Sequence, residues 1–244
     1  VKAKVFHDKL GTSRTNTATF EQLTVAAPTV SPSDIYFYEK TTVTLASQTR
    51  NAEIFYTLDG SEPDASSERY TEPITITGDS QLRTKAFKKG YKTSDETEST
   101  FKLFDPSQGL IYKYFQRGFS VTPNFIHMEP DASGPIDGIS FRKIETRQES
   151  FALQFLGLIN IEKAGEYTFY TGSNDGSTLF INNQLVVAND GPHGYLEESG
   201  KIHLDKGKHL LEVRYFQAGG GRDLVAFYKG PGIKKQEIPA KVFK

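Results

Sequence analysis

No window of this 244-residue sequence sustains apolar residues at three- and four-residue spacing, whereas short alternating runs recur from end to end. "TVTLASQ", "AEIFYTLDG", "EYTFYT" and "TLFINNQLVVAN" each place apolar residues on one face of an extended segment, with Gly, Asp, Asn or Pro between runs. The expected fold class is therefore all-β. The 21 Gly, 11 Pro, 18 Phe and 12 Tyr fit short strands and tight turns, and no Trp is present. "FALQFLGLINI" puts Phe151, Leu153, Phe155, Ile159 and Ile161 on one face and is nearly as apolar on the other, as expected of a strand buried on both sides. Asn182 and Asn183 supply the positive φ of a two-residue turn between two strands. "EKAG" and the turn from Asp205 to Gly207 are each expected to close a hairpin.

The length suggests two domains, and the sequence also contains an internal repeat. Shifted by 81 positions, "KAKVFHDKLGTSRTNTATFEQ" falls without a gap on "RTKAFKKGYKTSDETESTFKL", with six of 21 columns identical, among them Lys4 with Lys85, Ser13 with Ser94 and Phe20 with Phe101. Roughly one or two matches would arise by chance. Residues 1–26 are thus expected to be the last strands of a preceding copy, which would make the chain part of something longer. The competing account is a threonine-rich strand pair recurring by composition. "FDPSQG" is the expected joint between residues 27–104 and 105–244.

Two family resemblances attach to these segments. "IFYTLDGSEPDASSERYTEPITI" followed by "LRTKAFKKGYKTS" resembles the chitobiase or β-N-acetylhexosaminidase C-terminal domain family. That resemblance implies a small immunoglobulin-like sandwich over residues 27–104, of the kind that trails secreted glycosidases. Read physically, Ile54, Tyr56, Ile74 and Ile76 alternate inward, and Asp59 and Gly60 reverse the chain. Asp59, Glu62 and Asp64 are read as a solvated turn. "GLIYKYF", "GLINIEKAGEYTFYTGSNDGSTLFINNQLVVAND", "GKIHLDKGKHLLEVRYFQ" and "GPGIKKQEIP" occur in the order of the protective-antigen-like (PA14) domain family, which residues 105–244 resemble. A larger antiparallel β-sandwich or barrel is implied there. In lectin members of that family two neighbouring aspartates hold calcium, which grips sugar hydroxyls. The pair falls here on Asn174 and Asp175, so the implied metal residues are these two and one negative charge is missing from the ion site.

A carboxylate beside an amide addresses vicinal hydroxyls as both donor and acceptor, with or without calcium. The opposing account is that Asn174-Asp175-Gly176 is a turn bonded to its own amides. Gly172, Ser173 and Gly176 are expected to let a ligand approach the backbone. His193 and Tyr195 in "NDGPHGYLEE", and Arg222 and Asp223 in "QAGGGRDL", are candidates to complete a carbohydrate-binding pocket. Each also has an ordinary reading: a loop histidine, a tyrosine packing its own loop, an ion pair between Arg222 and Asp223.

Several classes are excluded by what the sequence lacks. A formal net charge of −1 provides no field for nucleic acid, and no run of 18 apolar residues provides a membrane-spanning helix. Zero cysteines remove disulfides and thiolate sites. No metalloprotease, serine-hydrolase, Walker or dinucleotide motif is found, and no catalytic residue is assigned. Adjacent Glu197 and Glu198 point to opposite faces of a strand. The expected function is a noncatalytic carbohydrate-binding module for a glycan or polysaccharide, accessory to an exported bacterial glycoside hydrolase whose catalytic domain lies elsewhere in the parent chain. Its expected location is extracellular, periplasmic or on the cell surface. The alternatives are a structural spacer and a protein-docking module.

Overall fold

Alternating side chains need a second layer to bury them, and the described residues form 22 strands that supply such layers. A computed structural model describes residues 2–19 and 21–243. Strands β1 (Lys2–Ala3), β2 (Phe6–His7), β3 (Gly11–Thr12) and β4 (Asn16–Thr17) come first. β5 (Thr29–Ser31), β6 (Ile35–Phe37), β7 (Thr41–Ala46), β8 (Glu53–Thr57), β9 (Glu68–Arg69), β10 (Ile74–Ile76), β11 (Ser80–Phe87) and β12 (Thr97–Leu103) follow. The remainder are β13 (Ile111–Phe115), β14 (Ala132–Pro135), β15 (Phe151–Ile161), β16 (Gly165–Ser173), β17 (Ser177–Ile181), β18 (Gln184–Asn189), β19 (Leu196–Leu204), β20 (Gly207–Gln217), β21 (Leu224–Gly230) and β22 (Ile233–Glu237). Helical structure among the described residues is confined to 3₁₀ turns at Pro106–Gln108 and Ala240–Phe243, so no helix is long and apolar enough to cross a membrane.

The chain divides into two compact units, one of residues 1–31, 43–74 and 81–99, the other of residues 32–42, 75–80 and 100–244. In the first unit, β8 pairs antiparallel with β11 (Phe55 opposite Lys85) and with β9. Ile54, Tyr56, Leu82 and Ala86 are buried, as alternation requires. Asp59 Oδ1 accepts from Ser61 N at 3.0 Å, Glu62 pairs with Lys85, and Asp64 Oδ1 accepts from Ser66 N at 2.8 Å, so these three acids serve turns and a surface pair. The repeated segments carry one hydrogen-bond pattern. Ser13 N donates to Val5 O at 2.9 Å and Ser94 N to Ala86 O at 3.1 Å. The serine hydroxyls accept from the same residues, Val5 N at 3.0 Å and Ala86 N at 2.8 Å. Val5 is 70% exposed where Ala86 is 0% exposed. Phe20 of the repeat lies outside the described residues.

In the second unit, a six-stranded sheet of order β14-β13-β15-β20-β17-β18 faces a four-stranded sheet of order β19-β16-β21-β22. β15 lies inside the larger sheet between β13 and β20, and all its residues except Asn160 are buried, which accounts for its double-sided apolarity. Phe151, Leu153, Phe155, Tyr167, Phe169 and Tyr215 fill the space between layers. Asn182 and Asn183 take φ of 49° and 66° between β17 and β18, which pair as a hairpin. The two other expected hairpins are corrected. "EKAG" joins β15 to β16 and the Asp205–Gly207 turn joins β19 to β20, but in each case the two strands belong to opposite sheets. Each of those turns carries the chain from one layer to the other.

Candidate functional site

The polar stretch after β16 is a third crossing between layers. Ser173 pairs with Leu196 on one side and Leu224 on the other, and four residues later Ser177 pairs with Tyr215 in the opposite sheet. Asn174, Asp175 and Gly176 span the gap, so their backbone groups leave both ladders and need partners elsewhere. Three neighbouring segments supply them: Asn174 N donates to Asp223 O at 3.0 Å, Asp175 N to His193 O at 2.8 Å, and Phe216 N to Gly176 O at 2.9 Å. Asp175 sits at φ 58°, a conformation that aspartate tolerates better than most side chains. Ser173 Oγ donates its one hydrogen to Asp175 O at 2.8 Å, so Ser177 Oγ, also 2.8 Å away, donates to Ser173. Asn189 Nδ2 adds a bond to Leu196 O at 2.9 Å.

The Asp175 carboxylate points inward. It is 5% exposed, and its Oδ2 accepts from the backbone N–H of Ala218 at 2.8 Å and Gly219 at 3.1 Å. These are charge-assisted bonds that tie the crossing to the loop between β20 and β21. Burial pushes the Tyr215 hydroxyl well above the usual phenol range, with the Asp175 charge adding to it. Gly172 and Gly176 serve packing rather than ligand access, correcting the expectation from sequence. A Cβ on Gly172 would overlap the Tyr195 hydroxyl, and one on Gly176 would overlap the Phe216 ring and stand 2.7 Å from Asp190 Oδ1.

Backbone hydrogen bonds bring together the three segments that carry the six candidate residues, joining Asn174 to Asp223 and Asp175 to His193. Asn174 is half-buried, its side chain directed toward Gly221, and its amide makes no hydrogen bond among the described residues. Asp223, exposed and joined to Asn174 through the backbone, likewise has no side-chain partner among them. Tyr195 is 56% exposed and lies over Gly172. His193 engages Gly194 O at 2.7 Å and Asn189 O at 3.3 Å through its two ring nitrogens. Arg222 turns away from Asp223. Its Nη1 donates to Thr146 Oγ1 at 3.1 Å and Arg147 O at 2.9 Å, and its guanidinium lies 5.6 Å from the Phe141 ring, so the expected ion pair with Asp223 is replaced by a bond to another loop. Sequence reasoning missed Thr146, Arg147, Ala218 and Gly219. The last two act through backbone N–H groups, which carry no side-chain signal.

Two of the carboxylates that calcium would call on at the crossing already have partners. One Asp175 oxygen already accepts two N–H groups, and Asp190 spends its carboxylate on Thr122 N at 2.8 Å, Gly191 N at 2.9 Å and Thr122 Oγ1 at 3.2 Å. No group of three or more His, Asp or Glu among the described residues is arranged to hold a metal ion.

Comparison with known proteins bears on both units. Residues 32–99 match the chitobiase/beta-hexosaminidase C-terminal domain, and residues 106–241 match the PA14 domain. The chain is 31% identical over 99 residues to the anti-sigma-I factor RsgI3 of Acetivibrio thermocellus, covering 40% of this chain and 15% of that protein. It is 23% identical over 170 residues to the protective antigen of Bacillus anthracis, covering 68% and 21%. The chain thus spans about a fifth or less of these relatives' lengths. A solved structure titled as the PA14 sugar-binding domain from an RTX adhesin aligns with TM-score 0.48 and 20% identity, over 55% of this chain and 96% of that one.

Proposed function

The chain belongs to the PA14 domain family, and from that membership we propose that it is a noncatalytic carbohydrate-binding module whose sugar sits on the rim formed by Asn174, Asp223 and Tyr195. The observation that carries this reading is an amide and a carboxylate, neither side chain with a partner among the described residues, on segments joined by the Asn174 N–Asp223 O bond, with an exposed tyrosine lying over Gly172. An amide both donates and accepts, a carboxylate accepts, and a phenol ring stacks on the apolar face of a pyranose; together these are the groups a vicinal diol calls for. His193 and the buried Asp175 shape the rim and hold its loops, with Arg222 anchoring it to Thr146 and Arg147. In this reading the sugar binds directly, without calcium, because Asp175 Oδ2 is engaged by two backbone N–H groups.

The match of residues 32–99 to the chitobiase/beta-hexosaminidase C-terminal domain supports the finer reading. The module serves an exported bacterial glycoside hydrolase, outside the cytoplasm, with catalysis performed elsewhere in the parent chain. A glycan array probed with wild type, Asn174→Ala and Asp223→Ala, each with calcium and with chelator, tests the function. The expected result is wild-type binding that survives chelation and falls at least about tenfold in either variant. A blank array for the folded wild type would favour a spacer instead.

A further inference from the structure

We infer that a second sugar subsite lies beyond the rim, in the cleft between β13 and the loop of residues 145–147, and that it takes a neutral pyranose stacked on Tyr112. The inference rests on the carbohydrate-binding reading and extends it to a place that the family resemblance does not assign. Tyr112, Tyr114 and Gln116 stand at alternate positions and so share one face of the strand and its continuation. The residues opposite are small: Gly134 faces Tyr112 and Ala132 faces Tyr114 on the edge strand β14. A Cβ on Gly134 would stand 3.6 Å from the Tyr112 ring, so glycine at that position keeps the ring's surroundings open. Tyr114 is buried and forms the floor, and its hydroxyl accepts from Arg147 N at 2.9 Å. Tyr112 is half-buried and forms a wall.

The resulting cleft has a volume of about 550 Å³, within the range of small-ligand sites. A neighbouring cleft of about 460 Å³ has Tyr112 as its other boundary, where the charges of Asp137 and Lys143 cancel in a 2.6 Å ion pair. One aromatic ring flanked by two open clefts suits a chain of sugars more than a single one. The polar groups at the first cleft are of the kind hydroxyls need. Glu145 and Gln116 are exposed, and neither side chain has a partner among the described residues; Arg147 donates Nη1 to Gln116 O at 3.3 Å. One acidic and one basic side chain leave the cleft near neutrality, which favours an uncharged ligand. The loop is held in place: Arg222, next to Asp223 on the rim, bonds both Thr146 and Arg147. That bond gives Arg222 a role as a positioning residue between the two subsites.

Isothermal titration of the whole chain with cellohexaose, xylohexaose and mannohexaose, and with glucose, xylose and mannose, tests the subsite. The variants are Tyr112→Leu, which keeps apolar bulk against the core, Glu145→Ala and Gln116→Ala at exposed positions, and Asn174→Ala on the rim, each checked by thermal unfolding. Support would be binding of at least one hexasaccharide more tightly than its monosaccharide, weakened about tenfold in Tyr112→Leu and several-fold in Glu145→Ala or Gln116→Ala. Hexasaccharide binding that Asn174→Ala abolishes and the three cleft variants leave unchanged would overturn the subsite while leaving the rim as the binding site. Failure of wild type to bind any of the three hexasaccharides would overturn the neutral-chain assignment, with the glycan array still deciding the broader function.

Discussion

Removing the Asp175 carboxylate would leave the Ala218 and Gly219 N–H groups without an acceptor where little water reaches. Asp175→Ala is therefore expected to lower stability by about 2–3 kcal/mol, read from urea or thermal unfolding. Asp175→Asn should cost less, since asparagine retains an acceptor oxygen and adopts the φ of 58° readily. Equal stability of wild type and the alanine variant would show that the carboxylate is not a latch. Asn174→Ala and Asp223→Ala behave oppositely: they should leave the unfolding midpoint nearly unchanged and weaken sugar binding. The density of polar groups between Gly172 and Gly176 was legible in sequence, but which of them face inward was not. The partners of Asp175 lie 43 and 44 residues away and offer only backbone N–H groups, identical in every residue but proline.

At the scale of strands, alternation located β8, β17 and β18 and a run apolar on both faces located β15, because both patterns are local properties of the chain. It could not assign a strand to a sheet. A turn that reverses direction looks the same whether it joins neighbours in one ladder or moves the chain to the facing layer, and β15–β16 and β19–β20 do the latter. One glycine shows what that arrangement demands. Gly200 on β19 packs against the backbone of β18 so closely that a Cβ would overlap the Val186 carbonyl oxygen, an atom with little room to retreat. Gly200→Ala is expected to cost about 3 kcal/mol or more in urea unfolding. Gly194→Ala, with nothing within 4 Å of its would-be Cβ, is the control and should be nearly neutral.

For the molecule as a whole, near-balanced charge makes two solution properties testable. With a formal net charge of −1 and an uncharged ligand, the hexasaccharide Kd should change by less than about twofold between 50 and 500 mM salt; a steep dependence would indicate an ionic ligand instead. Alkaline pH should destabilise the fold. Burial raises Tyr36 and Tyr56 to about 12 and Tyr215 further still, so the folded chain holds protons that the unfolded chain releases near pH 10. Their contribution is complete below about pH 10 and is lost as pH rises through the folded values, which a series of unfolding midpoints from pH 8 to pH 12 would follow. By itself the amino-acid sequence determined the all-β class, the two family matches and the positions of the turns, because these depend on side-chain periodicity and on residues adjacent in the chain. The tertiary structure alone decided that Asp175 faces the interior, that Arg222 reaches Thr146 and Arg147, and that Tyr112 stands open beside Gly134. Those outcomes depend on which distant backbone meets each side chain, and only packing two sheets against each other specifies that.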